Sequence, residues 1–313
     1  MKEINYDIAI LGGGPAGLSA AVYAARGASK TCIVDTGMFG GQVSNTLEIE
    51  NYPGFSTIGG FDLMEKFEEH ADSFGIDKHA MQEIEKIDLV GTTKKIYTKE
   101  FLINAKTIII ACGAQPTKLN LDKEKELTGR GVSYCAVCDG AFFRDKEVTV
   151  VGGGNAAVEE ALYLTKFASK VNLVHRRDKL RADKIYQERA FANPKINFIW
   201  NTVVTEIIGE EKLSAITIKD VLKNEEYNLN TEGLFPYVGY TPNTSLFADK
   251  ILLDKAGFII TDSEMQTSIK GVYAAGDIRV TPLRQVITAA ADGAVAATSA
   301  IKYLEEVESE VKV

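Results

Sequence analysis

Two glycine-rich turns, 140 residues apart, constrain this chain more than any other feature. The first follows an apolar strand, Tyr6 to Leu11, and reads Gly12-Gly13-Gly14-Pro15-Ala16-Gly17. An alanine-rich helix runs to about Arg26, and a second strand, Thr31 to Val34, ends in Asp35. Glycine allows a tight turn and lets the backbone approach a pyrophosphate, whose charge settles at the helix N-terminus. The acid, 23 residues after Gly12, is placed to accept hydrogen bonds from a ribose. A G-x-G-x-x-G string alone is weak evidence. Strand, helix, second strand and acid in register read as a βαβ dinucleotide unit, with Gly12, Gly14, Pro15, Ala16, Gly17 and Asp35 as candidate ligands.

The same design recurs. A strand, Glu147 to Val151, leads into Gly152-Gly153-Gly154-Asn155-Ala156-Ala157; a helix runs from Asn155 to about Phe167, and a strand from Lys170 to Val174. Tyr23 matches Tyr163, and Ala28-Ser29-Lys30 matches Ala168-Ser169-Lys170. The position equivalent to Asp35 holds His175, followed by Arg176, Arg177 and Arg181. Guanidinium forks bind phosphate bidentately, so this cluster suits a ribose carrying a 2′-phosphate. A run of arginines is usually a solvated face, but this one falls where a 2′-phosphate should lie. The first site therefore suits an unphosphorylated adenosine, as in FAD or NAD. The second suits NADPH, with Gly152, Gly154, Asn155, Ala157, His175, Arg176, Arg177 and Arg181 as candidate ligands.

Just ahead of the second turn stands Cys135-Ala136-Val137-Cys138-Asp139-Gly140. Two thiols at this spacing can close a small disulfide ring and reopen it, the second thiol resolving a mixed disulfide. Half of a zinc site would need two more soft ligands, and Cys32 and Cys112 are single and far apart, so no metal site is expected. Asp139 could give or take the proton that dithiol chemistry requires; position alone allows a helix cap or turn residue equally. At 313 residues the chain has room for two domains. A net charge of −8 argues against nucleic acid or an anionic membrane as partner. No apolar run is long enough to span a bilayer. The first strand begins so early that no signal peptide is expected, and a reducing cytosol follows, where such a pair cycles rather than staples.

Two dinucleotide folds with a redox dithiol resemble the low-molecular-weight thioredoxin reductases of bacteria, over essentially the whole length. Further matching pieces are Gly40-Gly41-Gln42, Glu50-Asn51-Tyr52-Pro53-Gly54, the His-Arg-Arg-x-x-x-Arg run, Ala274-Ala275-Gly276-Asp277 and Arg284-Gln285-Val286. The resemblance implies FAD in the first fold, NADPH in the second, and thioredoxin as the disulfide substrate of a cytoplasmic homodimer. It implies that Gln42, Asn51, Asp277, Arg284 and Gln285 touch the flavin, and it extends the flavin site to Gly41, Gly113, Gly276 and Val286. It makes Cys138 the sulfur nearer the flavin and Cys135 the one that attacks the partner, and it tips Asp139 towards the proton role. Family members often have Ala-Thr-Gly-Ala where this chain has Ala111-Cys112-Gly113-Ala114; Cys112 is read as a small apolar filler.

The expected architecture is α/β: two Rossmann-like units, the second inserted into the first, each with a small antiparallel meander. Two Gly-x-x-Pro breaks, Gly113-Ala114-Gln115-Pro116 and Gly239-Tyr240-Thr241-Pro242, mark the crossings. They give 1–115 and 242–313 to the flavin domain and 116–241 to the NADPH domain. The meanders fall at 81–104, turning at Gly91-Thr92-Thr93, and at 203–230. A helix is expected from Leu283 to about Tyr303, with a fraying charged tail from Glu305 to Val313. Pro236 places its strand at an edge or a bulge. Cys32 reads as core, His70 as helical, His79 as a loop residue and Trp200 as packing. Because the flavin's reactive part is small, the insert is expected to swing on the Gly-x-x-Pro hinges, presenting nicotinamide and disulfide in turn. Other designs of this kind fit less well. A peroxiredoxin reductase usually adds an N-terminal thioredoxin-like module, a ferredoxin-driven relative tends to lack the arginines, and a ferredoxin–NADP reductase lacks the dithiol. A nucleotide sensor without turnover would not need the Cys-x-x-Cys-Asp.

Overall fold

A computed structural model describes residues 2–46 and 49–311. Its contacts divide the chain into two units, 1–115 with 241–313, and 116–240, so Thr241 falls in the first. In the first unit β1 (Lys2–Leu11), α1 (Pro15–Arg26) and β2 (Thr31–Val34) form the βαβ corner. They are followed by α2 (Gly60–Asp72), β3 (Asp77–His79), β4 (Ile84–Asp88), β5 (Lys94–Thr98), β6 (Phe101–Ile110) and β7 (Ala114–Pro116). β1 begins at Lys2, earlier than the expected Tyr6, because Lys2 to Asn5 find partners in Phe101 to Asn104.

The main sheet runs β3-β2-β1-β6 in parallel, and the far side of β6 is shared. Its first half pairs antiparallel with β5, which pairs with β4, so the expected meander exists and uses β6 as its third strand. Its second half, Ile108 to Ile110, pairs in parallel with β16 (Val272–Ala274). The apolar runs Ile8-Ala9-Ile10-Leu11 and Ile108-Ile109-Ile110 are buried on both faces, as a covered parallel sheet requires. Period two splits them. Ile8, Ile10, Ile33 and Ile109 pack beneath α1 and the long α6 (Val286–Val311), while Ala9, Leu11, Cys32, Val34 and Ile108 face the meander side.

α6 runs well past Tyr303, so the tail does not fray from Glu305: Leu304 is buried and Glu308 pairs with Lys106 at 3.2 Å. Residues 312–313 lie outside the described residues. His79 also differs from expectation, since it sits in edge strand β3, its ring 4.7 Å from that of Phe101.

In the second unit a short α3 (Ala136–Asp139) precedes β8 (Glu147–Gly152), α4 (Asn155–Leu164), β9 (Lys170–Val174), α5 (Lys184–Phe191) and β10 (Ile196–Ile199). α4 ends three residues before Phe167, where the chain turns back on itself through Thr165 and Lys166. A meander of β11 (Thr202–Gly209), β12 (Leu213–Asp220) and β13 (Glu225–Asn230) leads to β14 (Gly233–Tyr237). The parallel sheet is ordered β10-β9-β8-β14, so β14, with Pro236, is an edge strand. Trp200 stacks on Phe198 at 5.2 Å. At the crossings, β7 pairs with β15 (Tyr240–Pro242) as a two-stranded ribbon.

Ile103 is fully buried in the first half of β6, paired with Ile4 of β1 on one side and Ile96 of β5 on the other. Ile103→Ala should cost the first unit about 2–5 kcal/mol, read as a lowered denaturation midpoint; a loss below about 1 kcal/mol would contradict this packing.

Candidate functional site: two nucleotide turns and a redox pair

In the first unit Gly12 has φ +105°, and a Cβ there would stand 2.4 Å from the Ala111 carbonyl oxygen at the end of β6. Only a residue without a side chain can turn the corner so close to a neighbouring strand. The turn delivers the chain to α1, whose N-cap, Gly14, has no side-chain cap, with Pro15 opening the first turn. Its free amides can therefore receive an anion. Asp35 is fixed beside them: Gly13 N donates to Oδ2 at 2.6 Å and Gly37 N to Oδ1 at 2.8 Å. Each oxygen keeps a lone pair that can accept from ribose hydroxyls. Ala16 is buried, Gly17 packs against the Gly12 carbonyl, and Gly41 approaches Gly14.

The rest of this constellation comes from distant segments. Asn51 Nδ2 donates to Gln285 Oε1 at 3.0 Å. Gly276 N donates to Asp292 Oδ2 at 3.1 Å, and Arg279 holds the same oxygen at 3.0 Å. Asp277 follows, and burial pushes its carboxyl up to about 6, with Arg284 pulling the other way and Asp292 adding to the rise. The Arg284 guanidinium lies 4.2 Å from the Phe258 ring centre, and its buried Nε has no hydrogen-bond partner among the described residues. Gly113, at φ +62°, and Val286 are half-buried, while Gln42 is exposed. An orphaned arginine nitrogen, a half-buried carboxyl and an uncapped helix form a set of polar groups that fits a flavin dinucleotide.

The second turn repeats the first. Gly152 has φ +152°, and a Cβ would stand 2.4 Å from the Tyr237 carbonyl oxygen at the end of β14. Gly154 is the uncapped N-cap of α4, and Ala157 is buried beneath it. Asn155 and Asp183 are joined reciprocally: Asn155 Nδ2 donates to Asp183 Oδ2, and Asp183 N to Asn155 Oδ1, both at 2.8 Å. The Gly153 carbonyl accepts from Arg181 N at 2.6 Å and Ala182 N at 3.1 Å, which straps the arginine segment to the turn. Arg176, Arg177 and Arg181 are exposed and have no ion-pair partner among the described residues. Three uncompensated guanidinium groups fit a phosphorylated ribose. His175 stands apart from them. It is only 4% exposed, and its ring fills the space under Gly153. Burial, followed by the charges of Arg181, Arg176 and Arg177, holds it below the usual imidazole range.

Cys135 and Cys138 form a disulfide with Cα atoms 5.3 Å apart. Cys135 caps α3, its sulfur accepting from Cys138 N at 3.1 Å. Ser133 Oγ accepts from Cys135 N at 3.1 Å, and Ala136 N donates to the Tyr237 hydroxyl at 3.0 Å. Cys138 is exposed, and half-buried Asp139 ends the helix. Cys32 is buried, which pushes its thiol up, and Cys112 is half-buried with its sulfur 3.3 Å from the Leu11 carbonyl oxygen. No group of three or more metal-ligating side chains occurs among the described residues, and no helix there is long and apolar enough to cross a membrane.

Several residues of these sites carry no motif. Tyr237, Ser133, Asp183 and Phe258 sit in strands and loops, and Asp292 in α6, all outside the glycine turns in sequence. Asp183 alone offered a signal, as a helix N-cap type ahead of α5.

Two nucleotide turns with a reversible disulfide beside one of them define a nucleotide-dependent disulfide oxidoreductase. The chain belongs to the pyridine nucleotide-disulphide oxidoreductase family, whose profile matches residues 6–293. It is 51% identical to a thioredoxin reductase of Peptoclostridium acidaminophilum over 310 residues, covering 97% of this chain and 98% of that protein. With the thioredoxin reductase of Bacillus subtilis it shares 47% identity, covering 99% of this chain and 98% of the relative. Among solved structures, the thioredoxin reductase of Lactococcus lactis in its FR conformation superposes with a TM-score of 0.93 at 48% identity, covering 96% of this chain and 99% of the other.

The raised Asp277 carboxyl gives a pH dependence in the flavin-free protein. An acid whose folded pKa lies above its unfolded one adds stability below the unfolded value and loses it as pH rises through about 6. Asp277→Asn should therefore melt above wild type at about pH 8, with the gap closing near pH 4. A gap that stays constant across that range would contradict the burial assignment.

Proposed function

We propose that the protein is a thioredoxin-disulfide reductase that carries electrons from NADPH, through FAD, to the Cys135–Cys138 pair and on to thioredoxin. The observation that carries this reading is the redox disulfide within the same unit as a nucleotide turn flanked by three unpaired arginines. FAD, when bound, accepts a hydride from the nicotinamide and passes two electrons to the disulfide. The chain supplies position and charge. The α1 amides and Asp35 hold one dinucleotide, with Gly41, Gln42, Asn51, Gly113, Gly276, Asp277, Arg284, Gln285 and Val286 around the flavin end. The α4 amides with Gly152, Gly154, Asn155 and Ala157 hold the other, and Arg176, Arg177 and Arg181 grip its 2′-phosphate. His175 serves that site as a buried wedge under Gly153 rather than as a phosphate ligand, in keeping with its 4% exposure.

On reduction, Cys135 attacks the partner's disulfide and Cys138 resolves the mixed disulfide. Asp139, one residue on, exchanges the proton that thiol and thiolate require. In this reading the protein works as a cytoplasmic homodimer, as its resemblance to the low-molecular-weight bacterial thioredoxin reductases implies.

Steady-state NADPH oxidation with thioredoxin as acceptor tests the reading. Cys138→Ser should keep its yellow colour and lose thioredoxin reduction. Joint replacement of Arg176 and Arg177 by Ala should raise KM for NADPH by about a hundredfold or more, since each loses charge-assisted hydrogen bonds worth about 1.5–3 kcal/mol, and leave KM for NADH nearly unchanged. Thioredoxin turnover that survives Cys138→Ser would overturn the proposal.

A further inference from the structure

Tyr237 closes β14 opposite Gly152, and its hydroxyl accepts Ala136 N–H at 3.0 Å. One side chain therefore ties the second nucleotide turn to the first turn of the redox helix. Behind that helix lies α4. A Cβ on Gly140 would meet Tyr163 and Leu164 at 3.3 Å, so this face of α4 supports the Cys135–Gly140 segment. Glu160 lies three and four residues before them and shares their face. Its Oε2 is buried with no hydrogen-bond partner among the described residues. A carboxylate in that setting is disfavoured against its neutral form. Burial, with Glu159 beside it, pushes it up to about 7. Tyr237 lies within the electrostatic reach of both Glu160 and Asp139. The reaction proposed above leaves Glu160 without a part.

We propose that Glu160 is a positioning residue for the redox pair: its carboxyl takes up a proton when the Cys135–Cys138 bond is reduced and gives it back when the bond re-forms. This rests on the reading of that pair as the working disulfide. Reduction breaks the Sγ–Sγ bond with two electrons from a named donor, reduced flavin in turnover or glutathione thiols in a test. With one proton from solvent the products are one thiol and one thiolate. The new negative charge arises on the short helix that Tyr237 holds at Ala136 N–H, with Glu160 in electrostatic reach of that tyrosine, and the carboxylate answers by binding a second solvent proton. Oxidation by a partner disulfide reverses both changes. The ionisable groups in electrostatic reach of Glu160 are Glu159 and Tyr163 on α4 and Tyr237 on β14; Tyr237 in turn is reached by Asp139 on α3 and by Tyr240. The tyrosines stay neutral through this range, burial raising Tyr237 and Tyr163 further. Glu159 and Asp139 are the other carboxylates in reach, so the effect must follow Glu160 and no other.

The test equilibrates the flavin-loaded protein, wild type and Glu160→Gln, with glutathione and its disulfide between about pH 5 and 9, then traps and counts the thiols. Gln imitates the protonated carboxyl. The two proteins should agree at the acid end. As pH rises, wild type should become harder to reduce than Glu160→Gln, their equilibrium constants diverging by up to about tenfold per pH unit, about 30 mV for two electrons, before the difference levels. Curves that coincide, or that differ by a constant factor at every pH, would overturn the proposal, the second outcome marking a merely structural role. Tyr237→Phe, which removes the acceptor for Ala136 N–H but keeps Glu160, should shift the constant and preserve the wild-type pH dependence. A second readout needs only an unaltered site. The infrared difference between reduced and oxidised wild type at about pH 7 should gain a protonated-carboxyl band, and its absence would overturn the proposal even if Glu160→Gln failed to fold. None of these measurements uses NADPH or thioredoxin, so loss of turnover in Cys138→Ser reports separately on the reading beneath.

Discussion

The structure depends on a corner that leaves no room for a Cβ. At Gly12 the chain leaves β1 within 2.4 Å of where a side chain would strike the Ala111 carbonyl oxygen, and at Gly152 it leaves β8 at the same distance from the Tyr237 carbonyl oxygen. Both glycines hold positive φ, which L side chains rarely adopt. The corner does more than reverse the chain. It sets the uncapped N-termini of α1 and α4 at the carboxyl ends of two parallel sheets, where amide hydrogens and the helix dipole gather negative charge. A dinucleotide site is what such a corner produces when a strand has a neighbour on each side.

With the corner fixed, the two units differ in what is hung beside it. Asp35, held by two backbone amides, offers oxygens; the arginines after β9 offer guanidinium groups, and the histidine just ahead of them is turned inward to fill the hollow under Gly153. The redox helix is the least self-sufficient element. Four residues make too short a helix to stand alone. It is held by Ser133, by the Tyr237 hydroxyl and by the α4 face beneath Gly140. A short helix held from outside lets its sulfurs change covalent state without carrying the sheet with them, and places the chemistry under the control of residues far away in sequence.

Much of this was legible in the sequence, because the features that encode it are local. Glycine spacing, the acid after the second strand, the arginine run and the Cys-x-x-Cys each sit within a short window, and the 140-residue repeat multiplied their weight. The edge position of Pro236 followed from its missing amide hydrogen, and the two meanders followed from alternation. What escaped depends on contacts between distant segments. The place of His175 in the second site follows from its match to Asp35, but only the third dimension shows Gly153 sitting on its ring. The terminal helix outran expectation because Lys106 and the core around Leu304 hold a stretch that composition alone reads as solvated. Nothing near Tyr237 or Glu160 marks either as belonging to the redox pair, since the link is one hydroxyl to one backbone amide and one helix face to another.

The most direct test of the whole account is a thiol count under anaerobic titration. The protein, loaded with FAD, would receive stoichiometric NADPH, and denatured samples would be assayed for free thiol. Two cysteines are free in the oxidised state and two are bridged, so the count should rise from two to four per chain as NADPH is consumed, and NADH at the same concentration should lag far behind. A flavin that bleaches while the count stays at two would contradict the account, for the electrons would then be leaving by some route other than Cys135 and Cys138.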